Sequence, residues 1–198
     1  MISVKAVPVG LRYSWGRSGL GGVSLRKRLS QFPGKLRGGD PALRTPVSPK
    51  FALWAMLSGT VAILALLRLA AWTGHPLLIG SFGASAVMLF GAPDSPLAQP
   101  RNLIGGHLVS AGVAVLLVAL FGSSYGVVAL GVGLAIGLMH LTHTTHPPGG
   151  ATALIGVQGH AGWPFLFVPV LAGVLILLLV ALFTSNIVHH RRYPRHWL

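Results

Sequence analysis

Thr142-His143-Thr144-Thr145-His146-Pro147-Pro148-Gly149-Gly150-Ala151-Thr152-Ala153-Leu154 decides how this chain folds. It lies between two strongly apolar runs, so it sits at or inside a membrane. Two prolines remove two N–H donors, and His146 is pushed out of the α region as the residue before a proline. Gly149 and Gly150 permit close backbone approach. The small residues from Ala151 to Gly156 then resume a helix. The stretch reads as a broken helix whose new N-terminus leaves backbone N–H groups free, an end that favours anions. In a bilayer, non-helical backbone is tolerated only when buried in protein or lining a polar cavity. The plainer reading is a re-entrant turn that is capped and holds no ligand.

The surrounding composition agrees with a membrane. The chain has 198 residues, 53% of them hydrophobic and only 9% charged, too apolar and too charge-poor for a soluble domain. Fifteen Lys and Arg stand against two acids, Asp40 and Asp94, for a net charge of +13. Ten of the fifteen fall in the first 50 positions, and Arg191, Arg192 and Arg195 fall near the end; only Arg68 and Arg101 lie between. Basic ends around an apolar core place both termini on the cytoplasmic side of an inner or plasma membrane. A nucleic-acid role is the other reading of such tails. It is set aside because the apolar core already explains the placement, and the expected partners are the bilayer and a small solute. With no cysteine there is no disulfide framework or thiolate chemistry.

Residues 1–50 carry Gly, Pro, Ser and Arg with little periodicity and read as a basic, mostly disordered tail that touches anionic headgroups. The transmembrane region is expected over residues 51–187, and a basic C-terminal tail over 188–198. A first spanning helix is expected from about Phe51 to Thr73, with Trp54 and Trp72 at its interfaces and Arg68 snorkelling. Gly74-His75-Pro76 ends it. A short helix follows from Leu77 to Ala92, whose Gly80-Ser81-Phe82-Gly83-Ala84-Ser85-Ala86 run suits close packing inside a bundle. Further helices are expected over 103–121 (with His107 and Ser110 about one turn in), 125–142 and 163–187, the last reading as lipid-facing.

The two broken places resemble each other. His75-Pro76 precedes Gly83-Ala84-Ser85-Ala86-Val87, and His146-Pro147 precedes Gly150-Ala151-Thr152-Ala153-Leu154. Each unit is a long helix, a His-Pro break, a small-residue short helix and another long helix. If the short helices cross the bilayer, there are six crossings and the units are inverted. If they are re-entrant, there are four and the units are parallel. The inverted arrangement is preferred. The fold class is therefore all-α, a polytopic transmembrane helix bundle with two short broken helices and two structural repeats. Its glycine-rich helices also allow a homo-oligomer.

His140, His143 and His146 are spaced three apart, which on a continuous helix puts neighbours on one face and raises a zinc or iron reading. Pro147 unwinds that helix, and no carboxylate lies in the helices to complete a site, so neither a metal nor another cofactor is expected. A cation pathway normally carries Asp or Glu, and after residue 50 the only acid is Asp94, in a connector. Ser, Thr, His and Asn102 all donate hydrogen bonds, which suits a small anion or neutral solute.

Gly80-Ser81-Phe82-Gly83-Ala84-Ser85-Ala86, the run Ala92-Pro93-Asp94-Ser95-Pro96-Leu97-Ala98-Gln99-Pro100-Arg101-Asn102, Gly105-Gly106-His107 and His146-Pro147-Pro148-Gly149-Gly150-Ala151 resemble the HPP family of integral membrane proteins. So does Arg191-Arg192-Tyr193-Pro194. The likeness covers about residues 36–198. It implies four membrane helices and a transport-related role, and its plastid members in plants are associated with nitrite transport. The expectation is thus a transporter or channel for a small anion, nitrite being the best single guess, and not an enzyme. A His-dependent membrane metalloenzyme and an accessory subunit without transport are the alternatives. The expected substrate-binding residues are His146, Pro147, Pro148, Gly149, Gly150 and Thr152 at one break, Ser81, Gly83 and Ser85 at the other, with Asn102 and His107 beside them. A bulky side chain at Gly150 is expected to block substrate, and Gly173→Ala to do little.

Overall fold

The computed structural model describes residues 48–74, 79–187 and 192–197. The basic tail expected over 1–50 falls almost wholly outside the described residues, as does the His75-Pro76 break.

Among the described residues, six α-helices follow one another. Helix α1 spans Pro49–Thr73. Ser48 caps it by accepting from the Phe51 N–H at 3.3 Å, and Pro49 takes a first-turn position where its missing donor costs nothing. Gly74, at φ 70, closes it. Helix α2 spans Gly80–Ala86 and continues through a π-turn, Val87–Gly91. A 3₁₀ turn, Pro96–Ala98, leads into α3, Pro100–Phe121. Ser124 caps α4, Tyr125–Leu141, and His146 stands at the head of α5, Pro147–Gln158. A kinked π segment, Leu166–Leu171, enters α6, Ala172–Ile187. Among the described residues, three helices are long and apolar enough to cross a membrane: Pro49–Trp72, Pro100–Phe121 and Leu166–Ile187. At 17 residues, α4 reaches about 25 Å. Helix α4 is thus intermediate between these three and the short α2 and α5.

Contacts at the two ends of the bundle fix its path. At one end, Arg195 of the C-terminal tail pairs with Asp94 at 2.5 Å, and its N–H donates to Gln99 Oε1 at 2.8 Å. Tyr193 is buried there and its hydroxyl donates to the Ala98 carbonyl at 2.8 Å. Phe51 at the start of α1 lines the same hollow as Asp94, Tyr193 and Arg195. Arg101, at the start of α3, shares a cleft with His140 and His143 at the end of α4. At the other end, Ser123, Ser124 and Tyr125 share a hollow with Gln158, the last residue of α5. Helix α2 therefore arrives at the tail end and α5 leaves from it. A re-entrant α2 would put its connector on the side opposite the C-terminal tail, which these contacts exclude. Each short helix runs from one end of the bundle to the other, in opposite directions. The packing agrees: α1 lies on α6 and α3 on α4, pairs that exchange when the two units are exchanged.

Several expectations need correction. Helix α3 begins at Pro100 rather than 103, so His107 lies two turns in. Helix α4 stops at Leu141, one residue early. The last helix is not continuous from 163: Val168 is extended (φ −133, ψ 118) because Pro169 follows it. Nor is it simply lipid-facing. Gly173, Val174, Leu177, Leu178, Ala181 and Ser185 are buried against α1 and its neighbours, so Gly173→Ala is no neutral control. Helix α2 buries only one side; Gly83, Ala84 and Val87 are exposed. Part of the C-terminal tail is held to α6, where Asn186 binds the Tyr193 backbone through its side chain, accepting at 3.2 Å and donating at 2.6 Å.

Candidate functional site

His146 is extended, at φ −136 and ψ 105, as a residue before proline should be. It also precedes the first turn of α5, so its ring is carried inward rather than along a helix face. What lets it in is Gly106 on α3. A Cβ there would lie 2.5 Å from His146 Cβ and 2.9 Å from the Thr144 carbonyl. Gly149 makes the reciprocal approach, where a Cβ would meet Ser110 Oγ at 2.8 Å and the Gly106 carbonyl at 2.9 Å. The two glycines bring α5 and the segment before it onto α3 at backbone distance.

The ring of His146 then meets a chain of polar groups. Its Nδ1 donates to the Leu97 carbonyl at 2.8 Å, and its Nε2 lies 2.9 Å from Ser85 Oγ on α2. Ser85 Oγ also lies 2.8 Å from His107 Nε2 and 3.2 Å from the Ser81 carbonyl. His107 Nδ1 is 2.7 Å from Thr152 Oγ1, which donates to Ser81 Oγ at 2.8 Å. Ser81, Ser85, His107, His146 and Thr152 are all fully buried. The imidazole centroids are 5.0 Å apart, and Phe82 closes on His107 edge-on at 5.5 Å. Ser85 and Thr152, equivalent positions of the two repeats, thus bracket one imidazole. Leaving any one of these buried groups unpaired costs about 1–3 kcal/mol, so the chain of bonds holds the two short helices in register.

Outside this chain, at the tail end, lies a cleft of about 460 Å³ lined by Pro96, Leu97, Arg101, Asn102, His140, His143, Thr145 and His196. Its lining, among the described residues, holds a guanidinium and three imidazoles and no carboxylate. The Leu97 residue that lines it also holds His146 through its carbonyl.

This pairing of a His-Pro-Pro break with a Gly-Gly-His helix matches a known family over nearly the whole described region. The family model for the HPP transmembrane region matches residues 44–194. The chain belongs to the HPP family. Two Dictyostelium discoideum proteins, each described as a transmembrane protein, are similar to it. One is 55% identical over 128 residues, covering 61% of this chain and 45% of that protein. The other is 43% identical over 189 residues, covering 88% of this chain and 60% of that protein. The chain spans about half the length of these curated relatives. No solved structure matches it. It is an integral membrane protein, as its apolar helices and its family agree.

Within this HPP bundle the expected site residues separate. His146, Thr152, Ser81, Ser85 and His107 come together as described. Pro148 and Gly149 are buried and serve packing, while Pro147 is exposed. Gly150 is half-buried, and a Cβ there would meet only Val132 Cγ1 at 3.9 Å, so it does not gate the chain of polar groups. Gly83 is exposed with nothing within 4 Å of a Cβ and stands outside the site. Asn102 donates to the Thr145 carbonyl at 2.8 Å and forms a wall of the cleft. The expected cradle of free N–H groups is not formed at the start of α5. Two prolines have no N–H, and that of Gly149 donates to the His146 carbonyl at 2.8 Å.

The triple histidine does not become one face, because α4 ends before His143. His143 sits at φ 54 and turns the chain, so that it and His140 line the cleft while His146 points inward. Each ring nitrogen of His107 and His146 lies within hydrogen-bond distance of a protein oxygen. Sequence reasoning did not single out Arg101, which lines the cleft. Its isolation between Arg68 and Arg191 was the available signal.

Proposed function

We propose that this HPP protein passes a small monovalent anion across the membrane, nitrite being the best single candidate from the family resemblance, and that it is not an enzyme. The observation that carries this reading is the cleft. It gathers Arg101, Asn102, His140 and His143 without an acid, over the carbonyl that holds His146. Such a surface concentrates anions at a mouth. The one acid outside the N-terminal stretch, Asp94, is exposed and paired with Arg195. The anion is drawn by side-chain donors of the cleft rather than by the end of α5.

On the same reading the tail end of the bundle faces the cytoplasm of an inner or plasma membrane. Arg101, Arg192 and Arg195 lie at that end, and the loops 122–124 and 159–163 at the other carry no Lys or Arg. Exposed Ala92, changed to cysteine, should resist an impermeant reagent in intact cells, while a cysteine at Ser123 should react. The reverse pattern rejects the orientation.

The functional test is uptake of nitrite, nitrate and formate into proteoliposomes. Arg101→Gln should lower uptake about tenfold, the equivalent of about 1.4 kcal/mol, with folded yield retained. Uptake by the unaltered protein no faster than in protein-free vesicles, for all three anions, rejects the proposal.

A further inference from the structure

The hydrogens in the buried chain do not add up when both imidazoles are neutral. Thr152 donates its single hydrogen to Ser81, so its 2.7 Å contact with His107 Nδ1 requires the hydrogen on the ring nitrogen. The Leu97 carbonyl can only accept, so His146 Nδ1 also carries a hydrogen. In two neutral rings both Nε2 atoms are then bare. Both face the same Ser85 hydroxyl, at 2.8 and 2.9 Å. Ser85 has one hydrogen, for which the Ser81 carbonyl at 3.2 Å also competes, and it can satisfy at most one of them. One buried nitrogen facing one buried oxygen at hydrogen-bond distance lacks a hydrogen between them.

We propose, resting on the anion reading above, that the Ser85 hydroxyl bridging His107 and His146 is a proton-binding site filled together with the anion, so that one proton travels with each anion. A proton added to Nε2 of His107 donates to Ser85 Oγ, while Ser85 donates its own hydrogen to Nε2 of His146. Transfer across the bridge is balanced. His107 gives its Nε2 proton to Ser85 Oγ as the Ser85 hydrogen passes to His146 Nε2, and the charge moves from one ring to the other with Ser85 unchanged.

The surroundings explain why the proton needs an anion. A lone cation in a buried site is costly, and nothing permanent offsets it. Among the described residues, α2, α5 and α6 bring no other titratable or charged side chain to the pair. On α1, Lys50 and Arg68 are exposed. On α3, Arg101 is exposed and donates to the Thr142 carbonyl, and His140 at the end of α4 and His143 just beyond it are exposed. Asp94 pairs with Arg195, and Tyr193 donates to Ala98. An anion entering past Leu97 is the counter-charge the pair lacks. Proton and monovalent anion together are neutral, so the joint movement carries no net charge.

The test uses nitrate and nitrite with purified full-length protein in proteoliposomes, with protein-free vesicles as the baseline for passive nitrous acid. An inward gradient of one pH unit should drive about tenfold accumulation, since one unit is a factor of ten in proton activity, and a potassium–valinomycin potential should have no effect. Ser85→Ala should abolish the pH-driven accumulation, and Ser85→Thr should restore it. In ¹⁵N spectra of histidine-labelled protein, saturating nitrate should add one imidazole proton to the His107–His146 pair, a change that a purely structural pair would not show. Uptake that ignores the pH gradient overturns the proton inference and leaves the anion reading standing. Absence of any uptake overturns both. If Ser85→Ala does not fold, the pH-driven accumulation and the imidazole signals of the unaltered protein still decide.

Discussion

Helices α2 and α5 begin from closely similar sequence and do different work. Both are short, both are rich in Gly, Ala, Ser and Thr, and both place a hydroxyl against His107. Helix α5 is clasped on two sides. Gly149 meets α3 at backbone distance, and Gly156 would put a Cβ 2.6 Å from Ala114 Cβ and 3.1 Å from the Phe165 ring. Helix α2 is half open. A Cβ at its Gly83 would meet nothing within 4 Å, and with Gly59 and Met56 of α1 this glycine lines a shallow apolar groove. A run of small residues permits close packing but does not compel it. What compels it in α5 is a second glycine opposite, Gly106, and the buried bonds of His146 and Thr152.

The sharpest test of this difference is a matched pair of glycine substitutions. Gly149→Val should destabilise the bundle by about 1–3 kcal/mol or more, because the atoms it meets include the α3 backbone, and folded yield should fall steeply. Gly83→Val should leave the detergent-solubilised unfolding midpoint nearly unchanged. Equal damage from the two would erase the distinction.

Hydroxyl loss sharpens the comparison at the site. Thr152→Val keeps the volume but unpairs His107 Nδ1 and Ser81 together, and should cost about 1–3 kcal/mol. Ser81→Ala on α2 removes only the end of the chain, and should cost about half as much by the same measurement. A larger loss from Ser81→Ala would mean that α2, not α5, organises the network.

The tail end of α2 is held differently again, by Tyr193 on Ala98. Tyr193→Phe should cost about 0.5–1.5 kcal/mol. Burial pushes the Tyr193 phenol up from its ordinary value. The folded state therefore favours the neutral hydroxyl. Its contribution is complete below the ordinary phenol range, about 10, and is lost as pH rises beyond it toward the folded value. Alkaline unfolding should start earlier in the unaltered protein than in Tyr193→Phe when each is compared with its own stability at pH 8. The smallest effect belongs to Arg195→Ala. The Arg195–Asp94 pair is exposed on both sides and should contribute less than about 1 kcal/mol, fading with salt.

Much of this was legible in the residues alone. Charge-poor apolar runs required a helical membrane bundle, since unpaired backbone has no place in lipid. His146 before Pro147 required a break, and the repeated order of long and short helices required two related units. The same proline rule applied at Val168-Pro169 would have revealed the kink that the apolar sequence from 163 to 187 concealed. Sequence also supplied five of the residues that meet, because buried hydroxyls and imidazoles in an apolar chain must find one another.

Tertiary structure alone decided the rest. Whether α2 and α5 pass through the bundle or turn back depends on where the C-terminal tail docks, and Tyr193 and Arg195 reach a connector almost a hundred residues away. Whether a glycine is a contact or a gap depends on what stands opposite it, so Gly149 and Gly83 could not be told apart by local composition. The start of α5 looked like an anion cradle because helix ends leave N–H groups free. Here two prolines remove the first donors, and the fold turns the polar groups elsewhere, into a bridge from His146 through Ser85 to His107. That bridge joins residues 22 and 61 positions apart, and spacing along a chain carries no information about contacts made at that range.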